Sequence, residues 1–72
     1  MNYKILNNNY GASYTLQLDN GKYALVNVEM KSYFEEDLAV LEQFGMWKEV
    51  KEEDVASSDR TIIEEIVKEN CK

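Results

Sequence analysis

The side chains in this chain with most scope for chemistry are carboxylates and phenols. Two acidic triplets stand out, Glu35-Glu36-Asp37 and Glu52-Glu53-Asp54, beside five tyrosines, one tryptophan and one cysteine. Carboxylates can move protons, ligate hard cations or oppose a cationic partner. Glycosidase-type chemistry needs two of them facing each other across a cleft. On the helix expected over residues 33–44, neighbours point about 100° apart, so Glu35, Glu36 and Asp37 fan outward instead of converging. Glu52, Glu53 and Asp54 offer oxygen ligands, but the Asp-x-Asp-x-Asp-Gly order of a calcium loop is missing. Both triplets read as solvated charged surface, and no metal site is assigned.

The chain has no histidine. That removes the commonest general base and the Ser-His-Asp triad. Thiolate or imidazole zinc sites need several Cys or His ligands, and Cys71 stands alone. Placed next to the last residue, Cys71 reads as an inert or intermolecular thiol, not an activated nucleophile. Gly11, Gly21 and Gly45 are isolated, so no glycine-rich loop is available to cradle a phosphate. The expectation is a protein without catalytic residues or cofactor.

Charge narrows the partner. Residues 1–30 hold Lys4 and Lys22 against Asp19 and Glu29, which cancel. The whole formal charge of −6 therefore belongs to residues 31–72. A reader of nucleic-acid phosphates relies on Lys and Arg, so direct nucleic-acid binding is not expected. An acidic surface complements a protein partner with a basic one. Together with the aromatic side chains that dominate binding hot spots, this selects Tyr10, Tyr14, Tyr23, Glu35, Glu36, Asp37, Trp47, Glu52, Glu53 and Asp54 as candidate partner-binding residues.

These residues must be positioned by few elements. With 72 residues, a single compact α+β domain over 1–72 is expected, with marginal stability. Residues 3–6 read as a short strand and Asn7–Gly11 as a loop. Residues 13–18 alternate strictly, and Asn20-Gly21 is a strong hairpin signal over 19–22. A two-residue loop would set Leu16 against Leu25 and Tyr14 against Asn27. The strand over 23–30 is apolar on both faces, so it should be covered on both sides, by a helix and by a loop or another molecule. Ser32 and Glu35 have capping-box spacing ahead of a helix over 33–44 whose stripe is Phe34, Leu38 and Leu41. Gly45 would end that helix, and residues 46–50 would form another strand. A second helix is expected over 59–70, capped by Ser58, with Ile62, Ile63, Ile66 and Val67 inward.

No run of about 20 apolar residues and no signal-peptide pattern is present. A lone cysteine fits a reducing cytoplasm, and the Lys- and Asn-rich composition resembles that of AT-rich bacterial or phage genomes. The expected function is a small acidic protein-binding module that inhibits or modulates a larger host or defence protein by occupying its surface, in the manner of an anti-CRISPR protein. The alternatives are a homodimeric structural or regulatory subunit, joined through a sheet edge or face, and a nucleic-acid mimic.

Overall fold

Alternation of aliphatic and aromatic residues with polar ones carries the first half of the chain into a four-strand meander. The computed structural model describes residues 2–43 and 48–70. Strands β1 (Tyr3–Tyr10), β2 (Ser13–Leu18), β3 (Tyr23–Asn27) and β4 (Ser32–Glu36) are followed by a short helix α1 (Leu38–Leu41). A two-residue strand β5 (Lys48–Glu49), a 3-10 turn over Glu52–Asp54 and a long helix α2 (Ser57–Asn70) complete the order. The sheet runs β4-β3-β2-β1-β5, and every pair is antiparallel. This is the expected α+β class: an antiparallel sheet with an Asn-Gly hairpin, packed with one long and one short helix.

The Asn-Gly hairpin is present with a loop of three residues, Asp19–Gly21. Leu18 N donates to Lys22 O at 2.8 Å and Gly21 N to Leu18 O at 3.2 Å. Gly21 takes φ +86°, the left-handed position that a three-residue hairpin loop requires. Leu16 therefore faces Ala24, and Tyr14 faces Val26. The two-residue loop expected from the sequence misplaces β3 by one residue, which exchanges its faces. In the observed register Tyr14, Leu16 and Leu18 share one face with Ala24, Val26 and Val28. All six are buried and form a core with Ile5, Val55, Ile63, Ile66 and Val67.

Helix α2 lies on that face and turns Ile63, Ile66 and Val67 inward. It begins two residues earlier than expected. Arg60 N donates to Ala56 O at 3.0 Å, so Ser58 sits inside the first turn and not at the cap.

The expected helix over 33–44 is corrected. Residues 32–36 form β4, and among the described residues of that span only Leu38–Leu41 are helical. Ser32 and Glu35 have capping-box spacing, but Tyr33 and Phe34 pair with Val26 and Leu25 of β3. The β3 strand stops at Asn27, whose Oδ1 accepts from Glu29 N and Met30 N, each at 2.9 Å. Lys31 reverses the chain at φ +54°. Aromatic residues favour a pleated surface, and a neighbouring strand with open hydrogen bonds decides the outcome. Of the expected loop over Asn7–Gly11, residues 7–10 are also strand. They continue β1, with register shifts between Ile5 and Asn7 and between Asn8 and Tyr10.

Strands β4 and β5 are the opposite edges of the sheet. Leu41 is fully buried yet does not belong to the α2-side core. Thr15, Asn7 and Asn9, on the face away from α2, are buried too. On β3 itself the residues of that face, Tyr23, Leu25 and Asn27, are half-buried.

Candidate functional site

Strand β4 ends the sheet and, among the described strands, has a neighbour on one side only. Successive side chains alternate between faces. Tyr33 and Glu35 lie on the α2 side, and Phe34 and Glu36 on the other. Phe34 stands beside Leu25 and is 52% exposed. Met30, in the turn before β4, is 77% exposed. Among the described residues these are the most open large apolar side chains.

Carboxylates flank this strip. Glu35, Glu36 and Asp37 line a groove of about 330 Å³ with Lys22, Tyr23 and Leu38. Tyr33 OH donates to Glu35 Oε1 at 2.8 Å, and Lys22 Nζ lies 3.8 Å from Glu35 Oε2. Asp37 N donates to Glu36 Oε2 at 3.3 Å. Lys22 is largely exposed, so this ion pair is weak and displaceable. The groove can hold a cationic side chain next to an apolar one.

The second acidic triplet lies elsewhere. Glu52, Glu53 and Asp54 are exposed on the 3-10 turn, which packs against β1. Glu52 lines a depression with Tyr3, Ser57, Arg60, Thr61 and Glu64. Burial raises the pKa of the Tyr3 phenol, and the charges of Glu64 and Glu52 raise it further. Asp54 lines another depression, of about 510 Å³, with Glu49, Val50 and Lys51. Three to four strand spacings, roughly 15–19 Å, separate the two triplets. They do not form one acidic face.

The tyrosines divide as well. Tyr23 is half-buried and belongs to the β4 groove. Tyr14 is removed from the candidate surface, because it is a buried core residue. Its hydroxyl donates to Asp59 Oδ2 at 2.6 Å, tying β2 to the first turn of α2. Burial, followed by the bond to Asp59 and its charge, pushes the phenol up to about 12. Trp47, Gly45 and Cys71 lie outside the described residues, as does the side chain of Tyr10.

Two features escaped the sequence reading. Phe34, expected in the apolar stripe of a helix, is instead the open residue of an edge strand; the adjacent strand-forming pair Tyr33-Phe34 is the available signal. Asn7 is fully buried, and neither its Oδ1 nor its Nδ2 has a hydrogen-bond partner. Nothing local in an Asn-Asn-Asn tract distinguishes that position.

Among the described residues no group of three or more His, Cys, Asp or Glu is placed to hold a metal ion. No described helix is long and apolar enough to cross a membrane. No protein-family model matches the chain, and no curated protein or solved structure matches it.

Proposed function

We propose that this protein is a small binding module that occupies a basic surface of a larger protein, using the β4 edge and its acidic groove. The observation that supports this is Phe34: an aromatic side chain half exposed in an open strand, with Glu35, Glu36 and Asp37 directly after it. Aromatic anchors supply binding energy. Surrounding charges steer the encounter and select the partner. Inhibition or modulation of a host or defence enzyme in a bacterial or phage-infected cytoplasm, as an anti-CRISPR protein achieves, is the form of this reading that suits the size and charge. The nucleic-acid-mimic alternative calls for a continuous line of acids, and the separation of the two triplets counts against it.

The test is affinity capture from bacterial lysate at low and high salt with three baits. The wild type should retain a partner in a salt-sensitive manner. Glu35→Lys/Glu36→Lys should lose it, and Glu52→Lys/Glu53→Lys, at the opposite edge, should keep it. A partner retained equally by all three baits, or no salt-sensitive partner at all, overturns the proposal.

A further inference from the structure

We infer that β4 accepts an extended, basic segment of the partner as a sixth strand of the sheet. This rests on reading the β4 corner as the partner-binding surface, and it specifies how that surface works. Strand β4 pairs with β3 over all five residues without a register shift, a straight edge of about 17 Å. Sheet edges are usually blunted by brevity, bulges, proline or charge, because an open one templates further pairing. At β5 the edge is two residues long and borders a twice-shifted β1. At β4, among the described residues, the strand is neither short nor bulged and carries charge: the chain has no proline, and Phe34 stays open in mid-strand.

That charge also says what fits. Glu35 and Glu36 project to opposite faces, so an added strand needs two adjacent basic residues to meet them and an apolar residue to cover Phe34. In antiparallel order the complementary segment reads basic, basic, apolar. A second copy of this chain brings another formal charge of −6 to the edge and no cation for either glutamate from its own β4. A basic segment gains cross-strand ion pairs in addition to backbone bonds.

The probe is a short synthetic peptide with adjacent lysine and arginine flanked by valines, titrated into isotope-labelled protein and followed by amide NMR shifts. Shifts should concentrate in β4 and β3. Glu35→Lys/Glu36→Lys should weaken binding about tenfold. N-methylation of the peptide amides that face β4 should abolish binding, whereas methylation of the alternate set should change it less than about twofold. Equal binding by both methylated peptides overturns strand addition while leaving the β4 corner as a partner surface. Absence of binding also overturns it. If sedimentation then shows a dimer with β4 amides protected from exchange, a second copy takes the edge. If the chain is monomeric, the capture experiment above still decides separately on the surface.

Discussion

The two edges of the sheet are finished in opposite ways. At β5 the strand is two residues long, β1 beside it shifts register twice, and the 3-10 turn packs against β1. At β4 five residues run in unbroken register, and α2 packs against β4 and β3. The first edge is closed to further pairing by its geometry. The second keeps the geometry that strand addition needs and carries charge that selects the partner. Carboxylates reject an acidic or neutral neighbour without altering the backbone, so they guard and select at once.

The strongest way to break this contrast is to loosen the helix that braces β4. Ile63 has no exposed surface and sits in the core under α2. Ile63→Ala should cost about 3 kcal/mol, a large share of the roughly 4–11 kcal/mol available to a domain of this size. Urea denaturation followed by circular dichroism measures the loss. Hydrogen exchange should show β4 and β3 amides losing protection before those of β1.

The next largest effect lies near the closed edge and has the opposite sign. Asn7 faces Thr15 on β2 and Glu49 on β5, and both polar atoms of its amide are buried without a partner. An apolar side chain of similar size removes that desolvation penalty and suits a strand. Asn7→Val should raise stability by about 1–2 kcal/mol, read as a higher urea midpoint at unchanged slope. A lower midpoint would show that the amide is satisfied by a buried water.

The same contrast explains which parts were legible in the sequence. The β2–β3 hairpin and the inward face of α2 were readable because Asn20-Gly21 and the spacing of Ile63, Ile66 and Val67 are local signals. The register was not, because loops of two and three residues both accommodate Asn-Gly, and only packing under α2 selects between them. At residues 32–36 the local pattern favoured the wrong element. Ser32-x-x-Glu35, with Phe34, Leu38 and Leu41 at helical spacing, fits a helix, while the reason for a strand is the open edge of β3, which lies outside that window. The acidic triplets were visible as composition. Their separation depends on sheet order, which no local pattern encodes.

A smaller effect joins the α2 brace to pH. Tyr14→Phe deletes the bond to Asp59 and should cost about 1 kcal/mol at neutral pH. The phenol, ordinarily near 10, is pushed up to about 12 in the folded protein. The folded state thus holds the proton more tightly than the unfolded one. The stabilisation is complete below about pH 10 and is lost as pH rises through about 12. Urea midpoints measured from neutral to alkaline pH should fall steeply in the wild type and less steeply in Tyr14→Phe. The residual slope should come in part from Tyr3, whose shift has the same direction.

The smallest effect on stability tests the open edge most directly. Phe34 is 52% exposed, so truncation loses much less burial than at a core position, and threonine keeps the strand preference. Phe34→Thr should leave the urea midpoint within the equivalent of about 0.5 kcal/mol. If Phe34 were a core residue awaiting better packing, the same change would cost several times more. If it is a contact residue, capture of the partner and binding of the basic peptide should both fall while the fold is untouched. Glu52→Lys/Glu53→Lys at the closed edge should leave both measurements where they are. A variant with wild-type stability and lost binding at one edge, set against one with neither change at the other, distinguishes an interface from a solubilising charge pattern.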